Sequence, residues 1–191
     1  MALAYSEISV ELREISLRDR PDELYKASSK GTVPVLITSN NTVIDESLDI
    51  ILWTLKGNNN QTWISENSNE EMSLINQNDT TFKKWLDKYK YHDRHPEKSK
   101  EHYREQCQYI LSNYEKQLKT TTYLLRDEIS IADIAIFPFV RQFANVDYSW
   151  FSDNYNHLKI WLENIVTSDL FLSVMSKHET WQNEDNPKIV S

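Results

Sequence analysis

Residues 31–53 read GTVPVLITSNNTVIDESLDIILW, and the fold turns on how this stretch is divided. "VPVLIT" and "NTVID" are short runs rich in β-branched residues, and "SNN" between them suits a tight turn because Asn tolerates positive φ. The two runs are therefore expected to form a β-hairpin. From Glu46 onward Leu48, Ile51, Leu52 and Leu55 recur at helical spacing, which predicts a helix with one apolar face. Pro34 interrupts the first run; on its own it reads as an edge-strand or bulge proline, because proline cannot donate to a ladder. Glu46 and Ser47 stand where the helix should begin, and both favour a first helical turn.

Working outward, Ile8, Val10 and Leu12 alternate with polar residues, the two-residue period of a half-buried strand. Pro21 and Asp22, in "LRDRPDELYKAS", suit the opening of a short helix or turn. Residues 1–55 thus read as part-helix, strand, helix, strand, strand, helix. Residues 56–70, "KGNNNQTWISENSNE", are polar and Asn-rich and read as a linker. Beyond it the periodicity is helical. Phe82, Leu86 and Tyr89 keep one face; Tyr103, Cys107, Ile110, Leu111, Tyr114 and Leu118 keep another; Leu158, Trp161, Leu162 and Ile165 a third. The expected architecture is a small mixed α/β unit, 1–55, followed by an all-helical unit, 71–191.

In "RDEISIADIAIFPFV", Ser130 followed by Asp133 is a variant capping box, in which each side chain can bond an orphan amide at a helix start. The apolar segment behind it, Ile134 to Phe139, predicts a buried helix. A cap accounts for the type and spacing of Asp133 better than a catalytic role does.

Composition removes several function classes. The chain has 191 residues, 39% of them hydrophobic, with six Trp and ten Tyr, which suits a packed core and not a disordered chain. Gly31 and Gly57 are its two glycines, too few for a phosphate-cradling Gly-rich loop. A net charge of −8 speaks against a general nucleic-acid surface. There is no apolar run of membrane-spanning length, and the start "MALAYSEISVE" does not read as a signal peptide. One cysteine permits no intrachain disulfide, which fits a cytoplasmic location. His92, His95 and His102 occupy a charged connection, "YHDRHPEKSKEH", without a ligand frame at metal spacing, so no metal is expected. Cys107 sits on an apolar helical stripe and reads as a core thiol.

The order of elements, "TVPVL", "IDES" with Glu46 ten residues after Leu36, and "SIADIAIFPFV" together resemble a glutathione S-transferase over essentially the whole chain. The resemblance implies a thioredoxin-like domain for 1–55, a helical domain for 71–191, and glutathione as co-substrate. It also implies a cis Val33–Pro34 bond, with Val33 offering its N–H and C=O to the cysteinyl backbone of glutathione. By the same likeness Ser47 and the helix start seat the γ-glutamyl carboxylate, Glu46 meets the α-ammonium, and Arg20 or Lys30 meets the glycyl carboxylate. The implied partners are a small hydrophobic or electrophilic second substrate, near the helix of Phe82, Trp85 and Tyr89, and a second copy of the chain.

The family's catalytic Tyr, Ser or Cys lies on the loop after a first strand. "MALAYSEI" corresponds to the end of the helix that follows it, so roughly 15–20 residues of the pattern are expected to be missing. Tyr5 and Ser6 stand at the wrong end of that helix, and no catalytic residue is assigned. Two explanations stand: a longer natural chain, with a parent resembling Cys-type members, or a shortened homologue. A further alternative is a non-enzymatic interaction module of the same fold, resembling the stringent starvation protein or the γ subunit of elongation factor one.

Overall fold

The structure, a computed structural model, describes residues 1–57, 62–65, 68–183 and 186–190. The chain divides into two compact units: Met1–Gln61 together with Asp169–Ser191, and Thr62–Ser168. Residues 58–61 and 66–67 of the expected linker lie outside the described residues.

The first unit opens with α1 (Ala2–Tyr5), β1 (Val10–Glu11) and α2 (Asp22–Ala27). It continues with β2 (Leu36–Ile37), β3 (Val43–Ile44) and α3 (Ser47–Lys56). This is the order expected from the period changes in the sequence. β2 and β3 pair antiparallel, Leu36 opposite Ile44 and Ile37 opposite Val43. The turn between them closes as expected, with Asn41 at φ 63° and its N–H donating to the Thr38 carbonyl at 2.9 Å. Helix α3 packs against α1. Its buried residues are Ile50, Thr54 and Leu55, so the buried stripe is rotated from the purely apolar one read in the sequence. Thr54 can join it because its hydroxyl donates to the Ile50 carbonyl at 2.7 Å, which satisfies the polar atom within the helix.

The C-terminal segment returns to this unit through α10 (Asp169–Ser173) and β4 (Ile189–Val190). β4 pairs antiparallel with β1, Val10 opposite Val190 and Glu11 opposite Ile189. The contact extends along the chain: the Leu12 N–H donates to the Lys188 carbonyl and the Trp181 N–H to the Glu14 carbonyl, each at 2.8 Å. Arg13 lies 4.8 Å from the Trp181 ring centroid, a cation–π contact. A two-residue strand carries too little periodicity to be read from sequence, and none was expected here.

The second unit is helical: α4 (Ser68–Gln77), α5 (Lys83–Lys90), α6 (Lys100–Gln117), α7 (Ile131–Ala144), α8 (Tyr148–Asn154) and α9 (Asn156–Val166). A π-helical turn, Asn78–Phe82, joins α4 to α5. Every residue of the three stripes read in the sequence for this unit is buried, from Phe82 through Leu118 to Ile165. The capping box is present, and its acid does more than cap. Asp133 Oδ2 accepts from Ser130 N–H at 2.9 Å and Ser130 Oγ at 2.6 Å. Its Oδ1 accepts from the Leu124 N–H at 2.9 Å and from Trp161 Nε1 on α9 at 2.8 Å. One fully buried carboxylate therefore ties the start of α7, the loop before it and α9 together.

Elsewhere Glu115, on α6, reaches the start of α9, accepting from the N–H groups of His157 at 3.1 Å and Leu158 at 2.8 Å. Burial alone raises the Glu115 carboxyl, but those amides and the His157 ring together bring it below the ordinary value. That cap is complete above the usual carboxylate range and is lost as the pH falls through the depressed value.

Removing the Asp133 carboxylate leaves several buried donors without acceptors. Asp133→Ala should cost about 3–5 kcal/mol in urea unfolding, and Asp133→Asn less, because its amide oxygen still accepts. A loss under about 1 kcal/mol for the alanine variant would contradict the role given to this residue.

Candidate functional site

In the first unit, two segments far apart in sequence are drawn together by side chains. One is the loop from Ser28 to Pro34 that leads into β2; the other is Asp45–Ser47, where β3 gives way to α3. The loop closes on itself through the Gly31 N–H, which donates to the Ser28 carbonyl at 3.1 Å. Gly31 has φ 61°, and a Cβ there would collide with the Tyr25 ring, so the turn needs glycine on both counts.

Ser28 is buried and its Oγ donates to Asp45 Oδ2 at 2.6 Å. Lys30 Nζ donates to Asp45 Oδ1 at 2.9 Å and to Glu46 Oε1 at 2.5 Å. The Ser28 hydroxyl, followed by the Lys30 ammonium, holds the Asp45 carboxyl below its ordinary pKa. Hydrogen bonds to Glu46 and then Asp45 hold the Lys30 ammonium above its own. Each partner thus favours the charged form of the other, and the loop is fastened to the helix start.

Glu46 is the N-cap of α3, with extended backbone at φ −117° and ψ 132°, and makes no side-chain capping bond. Ser47, exposed, is the first helical residue. The first amides of α3 therefore have no side-chain acceptor and point, with the positive end of the helix, toward the space in front of Glu46 and Ser47. On the other side the Val33–Pro34 peptide bond is cis. Val33 is 48% exposed, and among the described residues no backbone hydrogen bond is made by its N–H or C=O. A free backbone pair, a helix start open to an anion and a carboxylate open to a cation are thereby carried on two linked segments. Such a set can hold an extended ligand with a peptide group in its middle and a zwitterionic amino-acid end.

Of the residues named from sequence, Lys30, Glu46 and Ser47 are brought together, with Val33 and Pro34 on the attached loop. Arg20 is exposed, and no hydrogen bond or ion pair among the described residues links it to this group. Asp45 and Ser28 were not foreseen as members. Asp45 carried a weak signal, an acid directly before a helix start; Ser28 carried none, since a partner 17 residues away leaves no periodic trace.

A groove of about 380 Å³ lies beside this cluster, lined by Val43, Ile44, Asp45, Asp49, Leu52, Trp53 and Lys56. It shares Asp45 with the cluster but none of Val33, Glu46 and Ser47.

The remaining candidates do not converge. Tyr5 closes α1 and Ser6 is its C-cap, the helix end expected. Cys107 is fully buried on α6, and burial pushes its thiol up to about 12, far from a nucleophile at neutral pH. Phe82 and Tyr89 are buried core residues, while Trp85 stacks on Tyr103 with ring centroids 6.4 Å apart. No three His, Cys, Asp or Glu side chains among the described residues are grouped to hold a metal ion. Nor is any described helix long and apolar enough to cross a membrane.

Comparison with known proteins bears on these geometries. Residues 1–62 match the family described as glutathione S-transferase, N-terminal domain, and residues 74–169 match glutathione S-transferase, C-terminal domain. A curated relative, probable glutathione S-transferase GSTF1 of Oryza sativa subsp. japonica, is 36% identical over 62 residues, 32% of this chain. That match spans 28% of the relative's own length. Among solved structures, the ternary complex of BphK, a bacterial glutathione transferase, superposes with a TM-score of 0.74 at 20% identity. The two structures cover 90% of this chain and 88% of that one. The transferase URE2P6 of Phanerochaete chrysosporium, solved with oxidized glutathione, gives a TM-score of 0.77 at 16% identity, covering 90% of this chain and 85% of that one. Likeness at these identities speaks for the fold.

The Asp45 fastening has a measurable signature. In a carboxyl-carbon NMR titration Asp45 should titrate below the ordinary aspartate range, so the fastening is present at neutral pH and lost as pH falls through that depressed value. Ser28→Ala, which removes the largest cause, should move the Asp45 midpoint upward. An unmoved midpoint would show that Ser28 does not hold this carboxylate.

Proposed function

The chain belongs to the glutathione S-transferase family, and from that premise we propose that it binds glutathione at the Val33–Pro34 loop and the start of α3, in the service of conjugation or thiol transfer. The observation that carries this reading is the pairing, through Lys30 and Asp45, of an exposed loop backbone at Val33 with an uncapped helix start.

Each end of the tripeptide finds a chemical counterpart. The γ-glutamyl carboxylate takes the first amides of α3 and the Ser47 hydroxyl, where the helix dipole favours an anion. The α-ammonium takes Glu46. The cysteinyl N–H and C=O pair with Val33, in the manner of an added strand, with Pro34 completing that wall. For the glycyl carboxylate the cations are Lys30, here engaged by Asp45 and Glu46, and Arg20, which stands apart from them. No residue of the chain is assigned the task of activating the sulfur. Cys107 is excluded by its burial, and Tyr5 and Ser6 by their place at the end of α1.

On this reading residues 1–55 form the glutathione-binding domain, and the helices of residues 71–168 receive a small hydrophobic or electrophilic second substrate, the remainder of the expected helical domain having joined the first unit. The protein works in the cytoplasm as a homodimer.

Ser47→Ala should weaken glutathione binding roughly tenfold or more, the usual loss for a hydrogen bond to a charged group, measured by calorimetry on the whole chain. Light scattering on the same preparation reads the mass, expected at twice 22.6 kDa. If folded protein neither binds glutathione in solution nor is retained by it on a resin, the binding reading falls and the non-enzymatic module replaces it.

A further inference from the structure

Lys30 and Glu46 are assigned to opposite ends of the same ligand, yet in this structure they satisfy each other. The Lys30 ammonium sits 2.5 Å from Glu46 Oε1 and 2.9 Å from Asp45 Oδ1. A tripeptide spans about 10 Å when extended, so one ammonium cannot touch Glu46 and also meet a carboxylate at the far end. A second ammonium at Glu46 competes with the first for a carboxylate that is already neutralised, and two cations about 4 Å apart repel.

Granted that the start of α3 seats the γ-glutamyl end, we propose that Lys30 is an exchangeable occupant of that seat: its ammonium neutralises Glu46 and Asp45 in the empty site and leaves when the ligand's α-ammonium arrives. Several features suit an exchange. The Glu46 side chain is 61% exposed and that of Lys30 47%, so either can change partner without burying a bare charge. Asp45 keeps its bond from Ser28 on its other oxygen, so the loop remains fastened after Lys30 departs. Lys30 is charged across the neutral range, and its hydrogen bonds to Glu46 and Asp45 favour that form further, so it is a true competitor.

The consequence is selectivity by amine. A ligand that brings its own ammonium replaces Lys30 one for one, and the freed lysine becomes available to the distant carboxylate. A ligand without the amine leaves Lys30 in place and gains nothing from the carboxylate pair. Lys30 acts as a positioning and specificity-determining residue, separate from any group that reacts with the sulfur.

The test uses three ligands on the whole chain: glutathione, γ-glutamylcysteine, which lacks the far carboxylate, and glutaryl-cysteinylglycine, which lacks the amine. Binding of each is measured by calorimetry to the wild type, Lys30→Met and Lys30→Gln, the last guarding against misfolding of one variant. γ-Glutamylcysteine should bind roughly two- to fivefold tighter to both variants, the scale of an exposed ion pair, while glutaryl-cysteinylglycine gains nothing. If γ-glutamylcysteine binds wild type but is unchanged or weakened in both variants, the exchange is wrong and the glutathione site stands. An equal gain for glutaryl-cysteinylglycine also overturns it, since the effect would not depend on the amine. If none of the three ligands binds any of the proteins, the site itself is wrong and the exchange goes with it.

Discussion

One carboxylate joins the Val33 loop to the start of α3. Asp45 stands between β3 and α3 and takes Ser28 on one oxygen and Lys30 on the other, joining two segments 17 residues apart. Without that fastening, the side-chain link between the loop carrying Val33 and the start of α3 would rest on the Lys30–Glu46 contact alone. The exposed Lys30–Glu46 contact contributes little to stability, since surface ion pairs seldom do. The half-buried Ser28–Asp45 bond is the firmer part. This division suits a binding site: the frame is held by a partly buried bond, while the groups proposed to face the ligand remain exposed.

The second unit uses the same device more deeply. Asp133 is fully buried and accepts four hydrogen bonds, from the start of α7, the loop before it and α9. A buried carboxylate persists only where its oxygens are occupied, and here the helix start supplies both donors and a favourable dipole. Glu115 repeats the idea at α9 from outside that helix. In both units, a side-chain carboxylate placed at a helix start does the work of fixing a loop.

How legible these features were in the sequence follows from their range. The hairpin, the helical stripes through Phe82, Cys107 and Trp161, and the Ser130–Asp133 box rest on spacings of two to four residues, and all are present. The rotated stripe of α3 escaped because Thr54 counts as polar until its hydroxyl is seen bonded to Ile50. The pairing of β4 with β1, and of Ser28 with Asp45, joins residues distant in the chain, and no period announces either. The candidate site was half legible for the same reason. Glu46 and Ser47 declared a helix start, and Pro34 a special strand, but what links them became visible only once Lys30 was seen between them.

Val33 and the start of α3 are proposed to hold the two halves of one glutathione molecule. An amide NMR titration of the whole chain with reduced glutathione tests this. Saturating shifts of the Val33, Ser47 and Leu48 amides along one common binding curve are expected. Shifts confined to residues away from both segments, or amides of the two segments that follow different curves, would contradict it.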